Sequence, residues 1–144
     1  MQLPDANILL YAHRVEDPAH RFYSQWLHGL VNGSAPFALS VLVAAAFVRV
    51  VTHPRFPPAP AELEQALAFI EVVSTAPTCR VVGAGPGTWP LVRDLCRQTR
   101  TRGAKVSDAH HAAVAIEHGC TLVTRDPDFR RFKAHGLELK LLEP

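Results

Sequence analysis

The chain has few cysteines, little charge of either sign and no long apolar run. Its three cysteines, Cys79, Cys96 and Cys120, form no CxxC and share no zinc-ligand spacing with a histidine. That excludes a zinc ribbon and a disulfide framework, and predicts reduced, buried thiols in a reducing cytoplasm. Lys and Arg number 15 against 13 Asp and Glu, so the net charge of +2 excludes a histone-like polycation while leaving room for local basic patches. The most apolar stretch, residues 37–51, is short and contains Ser40 and Arg49, too polar to span a bilayer. Pro4 and Asp5 interrupt the amino terminus before any apolar region, so no signal peptide is expected.

What is present is apolar content. Hydrophobic residues make up 48% of 144 positions and charged residues 19%, which excludes a disordered or coiled-coil chain. No repeat or flexible linker divides the sequence, so residues 1–144 are read as one domain. The Pro-rich stretch 53–60 is expected to be a surface connection between two helices.

Short strands are expected at 2–4, 37–39, 80–82, 121–124 and 137–141. Helices are expected over 6–12, 18–31, 41–53, a segment beginning near Pro60, a segment capped by Thr88, and an Ala-rich segment capped by Ser107 and stopped by Gly119. The helix after Pro60 should bury Leu63, Ala66, Leu67, Ile70 and Val73. Residues 127–132 read as a short helical turn anchored by Phe129 and Phe132. Strands alternating with helices imply an α/β fold with a central parallel sheet of about four to five short strands flanked by helices.

Ligands of such sheets bind beyond the carboxyl ends of the strands, and three aspartates fall there. Asp5 follows the first strand, Asp126 follows TLVT, and Asp108 lies in the first turn of the Ala-rich helix. Each alone has a structural explanation: Asp5 as a helix cap, Asp126 as a turn former, Asp108 as a partner of the helix dipole. Together they suggest a site, because converging carboxylates repel one another unless protons or a cation compensate. A hard divalent ion suits them best, and the chemistry such a site performs is phosphodiester hydrolysis. Thr124 is either a donor to a carboxylate or bound water or simply a β-favouring strand residue. Asn7 either supports Asp5 or caps the helix that starts there, and Asp128 is either an additional ligand or a cap.

Arg125, Arg130, Arg131 and Lys133 cluster around Asp126, and Lys105 precedes Asp108, so Arg125, Arg130, Arg131 and Lys105 are candidate contacts to an RNA backbone. Arg93, Arg97 and Arg100 suggest a second basic face, as readily an ordinary solvated one. The adjacent His110 and His111 lack metal-site spacing and read as solvated or helix-end residues. Phe22 and Trp26 read as core or dimer contacts rather than as platforms for RNA bases.

The segments PDANILLYA, FVRVVTHPRF and VSDAHHAAVAIEHGCTLVTRDPDF resemble a PIN-domain ribonuclease of the VapC toxin type, over almost the whole chain. The resemblance implies a Mg²⁺- or Mn²⁺-dependent endoribonuclease, with Asp5 and Asp108 as metal ligands and Asp126 as the last acid of the site. It further implies a homodimer neutralised by a VapB-type antitoxin, with no membrane association. The family's usual Glu in the helix before Phe47 is replaced here by Ala46. That departure predicts weaker metal binding, or a weakened domain that binds RNA or antitoxin without cutting. A phosphoacceptor domain on a similar sheet is disfavoured, because Asp5 is followed by Ala6 and Asn7 and no second acid.

Overall fold

The computed structural model describes all 144 residues. The chain runs β1 (Gln2–Pro4), α1 (Ala6–His13), α2 (His20–Val31), β2 (Phe37–Ser40), α3 (Val41–Val51), α4 (Leu63–Ser74), β3 (Cys79–Val82), α5 (Thr88–Thr99), a 3₁₀ turn (Gly103–Lys105), α6 (Val106–Glu117), β4 (Thr121–Thr124), a 3₁₀ segment (Pro127–His135) and β5 (Glu138–Leu141). The five strands form one sheet in the order β3-β2-β1-β4-β5, and every pairing is parallel.

Burial follows position in the sheet. All four residues of β2 are buried, as a strand covered on both faces requires. Edge strands β3 and β5 contain no buried residue. Under the sheet's helices lies an aromatic cluster in which fully buried Phe47 of α3 stacks on Phe69 of α4, centroids 5.0 Å apart, with His13 edge-on to both.

The strand order locates the site. From β1 the chain builds outward through β2 and β3, then returns to the other side of β1 for β4 and β5. The carboxyl ends of β1 and β4 therefore flank the point where the winding reverses, and an open sheet has its crevice there. Register places Pro4 beside Val123, and the Asp5 amide donates to the Val123 carbonyl at 2.8 Å.

Several sequence expectations shift. Ser40 does cap α3, its hydroxyl accepting from the Leu42 amide at 3.2 Å. Ser107 does not cap α6: the helix starts at Val106, the preceding 3₁₀ turn leads directly into it, and Ser107 sits exposed within the first turn. Gly119, with φ +63°, follows its end as expected. Thr88 is the first residue of α5, and its hydroxyl is committed to Gly85 and Glu117. In α4 only Ala66 and Val73 are buried, whereas Leu63 and Leu67 are 53% and 39% exposed. Periodicity identified the apolar stripe of α4 but not how little of it the core covers. Arg100 is in the left-handed region with φ 54°, past the end of α5, so it does not continue the Arg93–Arg97 face. Cys120 is buried as expected, Cys79 and Cys96 are only half-buried, and all three thiols are free.

Candidate active site at the carboxyl ends of β1 and β4

Asp5 is the buried centre of the site. It is the N-cap of α1, its Oδ1 accepting from the Ala6 amide at 2.7 Å. Its Oδ2 accepts from the Thr124 hydroxyl at 2.7 Å and from the Asn7 side-chain amide at 2.9 Å. The Asn7 amide also donates to the Thr124 hydroxyl, which in turn accepts from the Asp126 backbone amide at 3.1 Å. A hydroxyl offers one donor and two acceptor lone pairs, so the Thr124 oxygen is fully used. It ties the end of β1 to the end of β4.

Asp126 also acts as a cap, accepting from the Asp128 amide at 2.9 Å at the start of the 3₁₀ segment. Asp108, in the first turn of α6, pairs with Arg131 at 3.2 Å and with Lys105 at 3.6 Å. Lys105 reaches Asp128 more closely, at 2.7 Å, and this contact holds the Asp128 carboxyl below the usual carboxylate range. Lys105 itself is held above the usual lysine range, first by Asp128 and then by the charges of Asp108 and Asp126. The acids foreseen in the sequence thus share one electrostatic neighbourhood, and two of the four candidate RNA contacts, Lys105 and Arg131, are turned inward onto them. Arg125 lies 4.0 Å from the centroid of the Tyr11 ring, and Arg130 is exposed.

Burial is the largest influence on Asp5 and pushes its carboxyl up, with the like charge of Asp108 adding to it. The Thr124 hydroxyl and the nearby His111 pull the other way. His111 was not foreseen as part of the site. Three residues after Asp108, it shares that face of α6, is only 9% exposed and leaves its Nδ1 without a partner. Burial lowers its basicity, while Asp5 and Asp108 raise it. Its burial departs from the solvated role expected from sequence. The signal was available in helical geometry, since an i, i+3 relation to a functional carboxylate selects His111 over His110.

Donor chemistry bears on what this cluster can hold. Every acid is a hard oxygen donor, and Asp5 sits where negative charge is disfavoured by burial. No group of three or more His, Cys, Asp or Glu side chains is arranged to hold a metal. The residues therefore fit a hard dication that keeps most of its shell as water and substrate oxygen, with few protein ligands, and do not fit a closed protein cage. Ala46 is half-buried on α3 and supplies no carboxylate.

Comparison with known proteins decides the family. The PIN domain profile matches residues 3–134. The chain belongs to the PIN-domain family. Within it, the chain is 39% identical over 132 residues to Ribonuclease VapC31 of Mycobacterium tuberculosis, covering 92% of this chain and 93% of that protein. It is 38% identical to Ribonuclease VapC25 of the same organism with the same coverage. Two solved structures share the fold. VapBC2 from Rickettsia felis, bound to a DNA fragment from its promoter, has a TM-score of 0.71 at 19% identity, covering 99% of this chain and 98% of that one. Mycobacterium tuberculosis VapC20, a Sarcin-Ricin loop cleaving toxin, has a TM-score of 0.69 at 14% identity and full coverage of both chains. The PIN-domain expectation made from PDANILLYA and VSDAHHAAVAIEHGCTLVTRDPDF is thereby met, and the chain is a ribonuclease of the VapC type.

Proposed function

We propose that this PIN domain is a divalent-metal-dependent endoribonuclease, the toxin of a VapBC pair, cutting RNA at Asp5, Asp108 and Asp126. The observation that carries this reading is the buried Asp5 carboxylate, braced by Thr124 and Asn7 beside Asp108 at the reversal point of the sheet. Asp5 and Asp108 would hold Mg²⁺ or Mn²⁺. When bound, the ion supplies positive charge against the phosphate and acidifies water at neutral pH.

The chain's own groups do the rest. Thr124 and Asn7 fix the Asp5 carboxylate, so that it meets its ligand without rotamer freedom. Asp126 orients a water from the β4 side. Lys105 and Arg131 neutralise Asp108 in the resting protein and turn to the RNA backbone when a cation takes their place, with Arg125 and Arg130 extending the basic surface. A VapB-type antitoxin, a homodimeric state and a cytoplasmic location complete the proposal. No helix is long and apolar enough to cross a membrane.

A second reading has its own support: Ala46 stands where the family carries Glu. On that reading the domain retains RNA or antitoxin without cutting. Incubating the purified protein with cellular RNA and Mg²⁺ or Mn²⁺ separates the two. Cleavage that disappears in Asp108→Asn supports the nuclease, and RNA retained intact at millimolar Mn²⁺ supports the binding module.

A further inference from the structure

A cavity of about 480 Å³ opens between α5 and α6, outside the acidic cluster. Trp89, Val92 and Val106 form its apolar wall, and Ser107 and His110 its polar one. Trp89 is 67% exposed although no other residue type has more apolar surface to hide. It heads a stripe at four-residue spacing, Trp89, Arg93 and Arg97, all exposed on one face of α5. Arg93 commits only its Nε, to neighbouring Asp94. An exposed aromatic followed by cations along one face matches what single-stranded nucleic acid requires: a ring for a base and positive charge for the backbone.

The groove adjoins the acidic cluster through α6. Ser107 and His110 line the groove, while Asp108 and His111, each one residue further, are turned by about 100° toward the acids. A chain crossing α6 therefore touches both. The wall bearing Trp89 is also prebuilt. The Glu117 carboxylate accepts from the Gly87 amide at 2.9 Å, the Gly85 amide at 3.3 Å and the Thr88 hydroxyl, and His118 Nε2 meets the Gly83 carbonyl at 2.8 Å. A Cβ on Gly85 would lie 2.6 Å from Glu117 Oε1, so only glycine lets the carboxylate approach there.

We infer that this groove is a nucleobase subsite: one unpaired base of an RNA chain stacks on Trp89, with its edge toward Ser107 and His110, while an adjoining phosphate reaches the acidic cluster. The inference rests on the ribonuclease reading for its ligand class, and its test is separable from that reading. Binding of a short single-stranded 2′-O-methyl oligonucleotide, which cannot be cut, is followed by fluorescence anisotropy. Trp89→Ala weakens it by about tenfold or more, and Trp89→Phe by less than about threefold. Wild-type protein also loses affinity for an oligonucleotide carrying one abasic position, and Trp89→Ala does not lose further. Circular dichroism of the variants verifies folding, and light scattering reports their oligomeric state. Equal binding by Trp89→Ala overturns the subsite, as does indifference of the wild type to every abasic position. A dimer that becomes a monomer in Trp89→Ala with binding unchanged assigns the groove to a second copy and also overturns it. A wild type that fails to cut RNA yet shows the Trp89 dependence sinks the nuclease reading and leaves the subsite standing.

Discussion

The Thr124 hydroxyl donates to Asp5 Oδ2 at 2.7 Å across 119 positions of sequence, joining the carboxyl ends of the two central strands. It also receives the Asn7 side chain and the Asp126 amide, so three separate groups depend on one oxygen. Thr124→Val keeps the shape and removes the oxygen. Leaving buried partners unpaired costs about 1–3 kcal/mol, and the unfolding midpoint should fall accordingly. Thr124→Ser should retain both stability and cleavage. Chemical denaturation of the two variants checks this, and a Val variant as stable as the parent would show that the network is incidental.

Burial sets Asp5 against its charged form. Its folded-state carboxyl lies above the ordinary value near 3.8, with burial the main cause and the Thr124 hydroxyl, His111 and the Ala6 amide opposing it. Stability contributed by this group is complete below the ordinary value and is lost as pH rises through the raised one. In metal-free buffer, acidification from neutral pH should therefore stabilise the parent more than Asp5→Asn, which does not titrate there, and Asp5→Asn should abolish cleavage. Melting curves of both proteins across pH, with paired activity assays, test this, and a parent whose stability responds to pH no differently from Asp5→Asn would contradict it.

Under the proposed function, Lys105 competes with the cation. It contacts both Asp128 and Asp108, so a dication held by Asp108 would compete with its charge. Lys105→Ala should lower the Mn²⁺ concentration needed for half-maximal cleavage while raising the RNA concentration needed. If both requirements rise, Lys105 acts on RNA alone.

The Glu117 clamp sets a steric and a pH prediction. Gly85→Ala places a methyl against the Glu117 carboxylate and should displace it from the Gly85 and Gly87 amides, lowering stability modestly. Gly83→Ala, with nothing within 4 Å of the added carbon, should be close to neutral. The Thr88 hydroxyl, followed by the Gly87 and Gly85 amides, holds the Glu117 carboxyl below its ordinary value near 4.5. Its contribution is present above that value and fades as pH falls through the lowered one. Thermal unfolding between pH 7 and pH 3 should accordingly show a smaller acid loss in Glu117→Gln than in the parent.

Much of this was legible in the sequence because it was local. β1, β4 and the Gly119 stop follow from apolar runs and one glycine, and the strand-helix alternation fixed a parallel sheet. Asp5 and Asp126 were visible as acids ending buried strands, and Asn7 and Thr124 as supports only alongside the alternatives of a helix cap and a strand former. What sequence hid depends on packing. His111 is buried because α6 rolls that face toward β1, which the adjacent pair His110–His111 does not reveal. Lys105 and Arg131 read as free cations, since nothing local shows that Asp128 and Asp108 take them up. The Glu117 clamp joins residues about thirty positions apart and has no motif.

The proposed function requires Asp5 and Asp108 to share one divalent cation. Calorimetric titration of Mn²⁺ into the purified protein, beside Asp5→Asn and Asp108→Asn, measures it directly. One ion should bind per chain of the parent, with binding lost in both variants. Binding that survives unchanged in either variant, or no binding by the parent at millimolar Mn²⁺, would contradict it.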